Sequence, residues 1–181
     1  MSTRRTWVVL AAAAAGVAVL VAGEGQAEPA MPSETVVMCP EDEPGQRVVF
    51  SGRVLDMDGR PLAKAAVVAY GTDREGNYSP PGSGTRVPRL SGVAVTDEDG
   101  RYAFETVYPG GYPGRDDPSH IHLTVAAPMH GIMYVTFWFE GDPRLTPAKR
   151  RSLDGETVIV RLEERGGEEL GFRHEIRLRG S

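Results

Sequence analysis

Short runs of alternating apolar and polar residues, cut at intervals by turn signals, constrain most strongly what this chain can become. "RVVFSGRVLD" (47–56) leads into "MDGRP", followed by "AKAAVVAYG" (63–71), "GVAVTD" (92–97), a second turn "EDGR", and "YAFETVYP" (102–109). The series continues with "HIHLTVAAP" (120–128), "GIMYVTFWFEGD" (131–142), "ETVIVRLEE" (156–164) and "GFRHEIRL" (171–178). A period of two sends successive side chains to opposite faces of a strand, so each run can bury one face and wet the other. Asp58-Gly59 and Asp99-Gly100 are hairpin-type dipeptides, because glycine accepts the positive φ that tight turns need. No stretch carries an amphipathic helical period, and "LTPAKRRSL" has room for a turn or two at most. Seven or eight strands at this spacing predict an all-β, antiparallel β-sandwich with little helix.

The first 27 residues stand apart from this pattern. They are basic at Arg4 and Arg5, apolar from Trp7 to about Gly23, and end in Gly25-Gln26-Ala27, a small-x-small pattern that marks export-signal cleavage. "TRRTWVV" is similar to a twin-arginine signal, the route for proteins that fold before crossing a membrane. The expectation is an exported protein, periplasmic or extracellular, cut near Ala27 and left with no membrane span. An uncleaved anchor is the rival reading, since the apolar run approaches the ~17 residues that span a bilayer. Residues 28–46 are rich in Pro and acidic side chains and read as an arm, leaving 47–181 as one β-sandwich domain. A net charge of −5 with no basic patch excludes nucleic acid as a partner. Cys39 is the single cysteine, so no internal disulfide can form, and it reads as exposed or half-buried. Stability must come from a packed core or a metal.

Among the strand-like runs, "HIH" is the one with chemistry in it. His120 and His122 share a face, with Ile121 on the other, so two imidazoles could chelate a metal with little rearrangement. Alone, such a pair is more often a solvated strand face. Two tyrosines change the balance: Tyr112 opens the loop "YPGRDDPS" that delivers the histidines, and Tyr78 sits in "DREGNYSPPGSG", where an aromatic has no obvious core to fill. A phenol with a pKa near ~10 binds metal at neutral pH only if the cation draws its proton off. A hard trivalent ion such as Fe(III) suits this better than zinc, which prefers Cys, His and carboxylate.

At these residues the chain resembles the intradiol ring-cleavage dioxygenases, the catechol and protocatechuate dioxygenase family, in a short exported form. The resemblance runs from about Val48 to Pro143 and includes the closing "FRHEIRLRG". It is carried by "GRVLDMDGRPLAKAAVVAY", "GNY", "TDEDGRYAFETVYPGGYP", "HIH" and "FEGDP". It implies a mononuclear non-haem Fe(III) held by Tyr78, Tyr112, His120 and His122, with Tyr112 the labile ligand that accepts a substrate proton. The implied partners are a small aromatic diol and O2, the ring being opened between its two hydroxyls; an oligomer is compatible with the sequence. Three positions depart from the family pattern. Asp117 stands where larger members keep an arginine, Thr136 where they keep a glutamine, and Ser91-Gly92 where "R-G" is common. Arg115 is the nearest cation to take over charge stabilisation, its alternative being a pair with Asp116, Asp117 or another surface acid. The helical N-terminal dimerisation region of catechol dioxygenases has no counterpart here.

Two other readings use the same residues. "SGRVLDMDGRPLAKAAVVAY" and "VTDEDGRYAFETVYPGGY" also resemble metal-free carboxypeptidase-regulatory or transthyretin-like interaction modules, which have no need of "HIH" or "GNY". An iron-binding homologue with impaired catalysis is the third. Elsewhere, Tyr70 is expected to pack beneath the site, His130 to lie in a loop, His174 on a strand face, and "FWF" (137–139) in core and pocket wall.

Overall fold

Ten strands and one short helix form from these runs in the computed structural model, which describes residues 34–167 and 169–180. The expected export signal and the first part of the arm lie outside the described residues. In chain order the first five strands are β1 (Val36–Val37), β2 (Arg47–Asp56), β3 (Ala66–Gly71), β4 (Leu90–Val95) and β5 (Arg101–Val107). They are followed by β6 (His120–Ala126), β7 (Ile132–Phe139), α1 (Pro147–Arg151), β8 (Thr157–Val160), β9 (Glu163–Gly166) and β10 (Glu169–Leu178). One sheet has the order β1-β5-β2-β10-β9 and the other β4-β3-β6-β7-β8. Helix α1 forms in "LTPAKRRSL", where a turn or two at most was expected, and is capped by the Thr146 hydroxyl accepting from the Lys149 N–H at 3.3 Å.

The β-sandwich with little helix is as expected, but its sheets are mixed and not antiparallel throughout. Strands β1 and β5, β2 and β10, and β7 and β8 pair in parallel. Turn dipeptides specify only local antiparallel neighbours, whereas a parallel pair needs a long connection whose ends no local signal relates. Strand β10 thus runs beside β2 from Leu170↔Val48 to Leu178↔Asp56, although most of the chain separates them.

Between the sheets the core is organised by an aromatic ladder. Phe104, Phe50 and Phe172 are register neighbours on β5, β2 and β10, and their rings stack at 5.2 and 5.4 Å. Phe137 of β7 meets this ladder edge-on from the opposite sheet, 5.0 Å from Phe172 and 6.2 Å from Phe50. Edge-to-face contact joins the two layers where area burial alone would not set an orientation.

The described part of the arm is built into the fold. Val36 pairs with Phe104, Met38 and Cys39 are buried, and the Cys39 sulfur accepts from Arg47 Nη1 at 2.7 Å. Cys39, expected at or near the surface, is therefore enclosed. Farther along, Glu43 receives Arg89 through two hydrogen bonds of 2.5 and 2.6 Å, with Asp73 at 3.5 Å on the other side of the guanidinium. Arg89 also closes the neck of the loop that carries Tyr78, its backbone N–H donating to the Tyr78 carbonyl at 2.9 Å. A bidentate pair of this kind, its carboxylate enclosed and its guanidinium exposed on one side, ties the arm to the base of one site loop.

Phe50→Ala should lower the unfolding free energy by about 3–5 kcal/mol in urea titration, since it empties the centre of the ladder. Glu43→Gln should cost about 0.5–1 kcal/mol in the same assay, since the guanidinium is partly exposed and solvent screens the pair. The hydrogen bonds from Arg89 hold the Glu43 carboxyl below its ordinary value of 4.5, so its contribution is full above that pH and is lost as pH falls toward the lowered folded value. The gap between wild type and Glu43→Gln should be constant from about pH 6 to 8 and shrink in acid below about 4.5.

Candidate metal centre

Alternation along β6 presents both histidines on one face. Ile121, Leu123 and Val125 enter the core, and Ile121 stands opposite Phe137 of the aromatic ladder. His120 and His122 therefore point outward from the sandwich interior, their ring centroids 4.7 Å apart. His120 Nδ1 lies 2.6 Å from the Pro118 carbonyl oxygen, which can only accept, so Nδ1 carries the proton and Nε2 keeps its lone pair. His122 Nδ1 lies 3.2 Å from the Thr136 hydroxyl, directly across on β7, while its Nε2 lies 3.5 Å from the Tyr112 hydroxyl. Burial lowers the pKa of both imidazoles, and for His122, where His120 adds to it, to about 4. Both rings are neutral at pH 7, the state in which nitrogen can bind a metal.

Tyr78 and Tyr112 arrive on two loops packed backbone to backbone. The Gly110 N–H donates to the Asp73 carbonyl at 2.8 Å, and the Thr72 hydroxyl donates to the Gly110 carbonyl at 2.8 Å. A Cβ on Gly76 would stand 2.2 Å from the Gly111 carbonyl oxygen, and one on Gly110 2.4 Å from that of Arg74, so only glycine permits this approach. The Asp73 carboxylate accepts from the Asn77 N–H at 2.9 Å and shapes the turn leading into Tyr78. The outcome is a direct hydrogen bond between the Tyr78 and Tyr112 hydroxyls. Burial, reinforced by that bond, raises the Tyr78 pKa, so without a cation its phenol is protonated. Tyr70 packs against the site as expected, stacked on His122 at 4.9 Å and tilted against Tyr78 at 5.9 Å.

The structure thus gathers Tyr78, Tyr112, His120 and His122. Arg115 is beside them, its Cζ 5.4 Å from the Tyr112 ring centroid and its Nε donating to Asp117 at 2.6 Å. That ion pair is the surface-acid alternative weighed for Arg115, and it coexists with the contact to Tyr112. His130, bound to the Pro128 carbonyl, and His174, edge-on to Phe137, do not join the group. Within "FWF", Phe137 and Phe139 are core, while Trp138 is half-buried opposite His120. Among the described residues no three His, Cys, Asp or Glu side chains converge to hold a metal, so the histidines have tyrosines as their companions.

Several positioning residues escaped the sequence reading. The Pro118 carbonyl that orients His120 has no side-chain signal at all. Asp142, in "FEGDP", accepts from the Ser119 N–H at 3.0 Å and holds the approach to β6. Thr136, noticed only as a departure from a family pattern, is the partner of His122.

A cavity of about 600 Å3 opens beside the tyrosines, lined by Tyr78, Tyr112, Arg115, Pro80, Pro81 and Arg86 among others; the histidines do not line it. A second cavity of about 620 Å3 lies between β8, β9 and β10, where arginines and glutamates mix and no phenol meets a pair of imidazoles. The tyrosine cavity is the one with donors for chemistry.

Comparison with known proteins agrees with this placement. A family model described as Dioxygenase matches residues 25–180. A protocatechuate 3,4-dioxygenase beta chain of Burkholderia cepacia is 33% identical over 75% of this chain and 66% of its own length. Catechol 1,2-dioxygenase 2 of Acinetobacter lwoffii is 34% identical over 57% of this chain and 43% of its own. The chain spans about half the length of most of the curated relatives it matches. Among solved structures, the dioxygenase domain of a carbohydrate-binding fusion from Streptomyces sp. SirexAA-E shares the fold, with a TM-score of 0.66 and 24% identity over 87% of this chain and 96% of that one. A match over so much of the chain, on a sandwich of the same fold, makes this protein a member of the intradiol dioxygenase family.

Proposed function

We propose that the chain binds ferric iron through Tyr78, Tyr112, His120 and His122 and opens the ring of a catechol-type aromatic between its hydroxyls. One observation carries this reading: two phenol oxygens and two neutral imidazoles, one with its Nε2 lone pair fixed by a backbone carbonyl, gather at one place beside a cavity. The donor set fits the ion. Two phenols suit a hard trivalent cation, and both nitrogens are free of protons at neutral pH. Bound there, the ion would supply the Lewis acidity that draws protons from a chelating diol and activates its ring.

The chain's own residues divide the remaining work. Thr136 and the Pro118 carbonyl hold the imidazoles in orientation through Nδ1, leaving Nε2 for binding. Tyr112 lines the cavity and stands between Tyr78 and His122 in the hydrogen-bonded row, and its hydroxyl oxygen is the one that takes the proton of an incoming diol. Tyr78, on its clamped loop, remains in place. Arg115 sets a positive charge over the Tyr112 ring and against the cavity, where negative charge grows as the diol loses protons. The reaction balances without another reductant: the carbon–carbon bond between the hydroxyl-bearing carbons breaks, and both atoms of O2 enter a muconate-type diacid. Export after cleavage near Ala27 belongs to the same proposal and is supported by the sequence of residues 1–27.

The purified protein should carry about one iron per chain and a red-brown tyrosinate charge-transfer band that shifts when catechol is added. Tyr78→Phe and His122→Ala should each lose iron and colour. Arg115→Ala should keep both while kcat for O2 uptake drops about tenfold or more. A colourless, iron-free protein would overturn the metal reading and favour the interaction module. Colour without O2 uptake across a panel of catechols would identify the impaired homologue.

A further inference from the structure

We propose that strand β4 (Leu90–Val95) is a self-pairing edge, through which two copies of this chain join about a two-fold axis at Val93. This inference goes beyond the function proposed above and holds whatever fills the metal centre. It starts from an edge left unguarded. The two sheets end in β1, β9, β4 and β8. A bare sheet edge invites another strand, and proteins blunt such edges with charge, short length or cover. Strand β9 reads Glu163-Glu164-Arg165-Gly166 and is exposed throughout, β1 has two residues, and none of the four residues of β8 is exposed. Strand β4 has six residues, "LSGVAV", none of them charged and none proline, and among the described residues it pairs only with β3.

The backbone of β4 turns half of its hydrogen-bonding groups outward. The Thr96 N–H donates to the Ala65 carbonyl at 2.9 Å, so these two form a bonded pair just past the end of the ladder. Antiparallel pairs alternate, so Ala66↔Val95, Val68↔Val93 and Tyr70↔Ser91 are the pairs without bonds. The N–H and C=O groups of Val95, Val93 and Ser91 therefore face away from β3, toward the open edge. Their side chains share the outer face of the sheet with Val68, Val93 being 58% exposed and Val95 65%. Behind the strand, a Cβ on Gly92 would stand 2.6 Å from the Val36 side chain, so the arm holds β4 from within while its outer side is bare.

A second copy of this edge is the occupant that fits. A strand that pairs with itself about a two-fold axis must be complementary to its own reverse. With the axis at Val93, Val93 faces Val93, Ser91 faces Val95 and Gly92 faces Ala94, so no like charges oppose each other along the strand. The same register sets Arg89 of each copy toward Asp97 of the other. Arg89 keeps its bonds to Glu43 and Asp97 its contact with Arg101, so the gain is attraction at both ends and not a new ion pair. That attraction offsets the repulsion between two chains of net charge −5. Pairing would also satisfy the outward groups of Ser91, Val93 and Val95, with about six backbone hydrogen bonds in all. Because β4 lies two strands from β6, the histidines are not engaged.

Sedimentation velocity of the purified protein across a wide range of concentration reads this pairing. It should show monomer and dimer in exchange. Val93→Lys, which opposes two like charges at the axis, should weaken dimerisation about tenfold or more, whereas Val93→Thr should keep it. Circular dichroism and iron content of both variants should match the wild type, since Val93 is exposed and away from the site. Under mild oxidation Val93→Cys should give a disulfide-linked dimer, and Tyr134→Cys, on the same face but on β7, should not. A wild type that is monomeric at every concentration, or a dimer that Val93→Lys leaves intact, would overturn the proposal. Preferential linkage through Tyr134→Cys would overturn it in favour of two sheets packed face to face.

Discussion

The two-residue period of β6 is the constraint on which the site depends. Ile121, Leu123 and Val125 have no exposure to speak of, and Ile121 sits opposite Phe137, which itself meets the Phe104–Phe50–Phe172 ladder edge-on. A slip of one residue would push both histidines into that aromatic core and drive the aliphatic side chains out. Burial of three apolar residues thus fixes the direction of two polar ones. The hydrogen bond that His120 donates to the Pro118 carbonyl, and the one between His122 and Thr136, only refine an orientation that the core has already chosen.

The other half of the site depends on close backbone contact. Tyr78 and Tyr112 belong to loops that share no strand pairing, yet their hydroxyls meet because the segments around Gly76 and Gly110 run against each other without intervening side chains. The Arg89 pair with Glu43 adds a third element, so a segment before the first long strand steadies a loop in the middle of the chain. A polar clamp at the loop's neck leaves its tip free to line the cavity, which suits a surface that must admit a ligand.

Charge is distributed around the site with the same economy. Asp117 does not leave a cavity-facing anion behind, since Arg115 neutralises it while lying over Tyr112. The cavity consequently keeps positive character inside an acidic protein. Arg86 and Arg115 line it from different loops, one without a partner among the described residues and one paired with Asp117.

Much of this was legible in the residues alone. Alternation in "HIHLTV" and "RVVFSG", with Asp-Gly turns between runs, determined a sandwich with the histidines on one face, because side-chain direction in a strand is a local property. The types of the four donors also pointed to their chemistry, since phenols beside imidazoles suit few cations. The mixed sheets, the parallel pairing of β2 with β10, and the burial of Cys39 were not legible, because they rest on partners distant in sequence. The same holds for the Pro118 carbonyl, the Arg89 clamp and the contrast between Arg86 and Arg115. A backbone acceptor carries no residue signature, and whether an arginine is paired or available depends on which carboxylate the fold brings within reach. Sequence by itself determined which side chains could do chemistry and on which face of β6 the histidines stand; only tertiary structure decided which donors meet, because strand periodicity is local whereas loop contact and charge pairing are not.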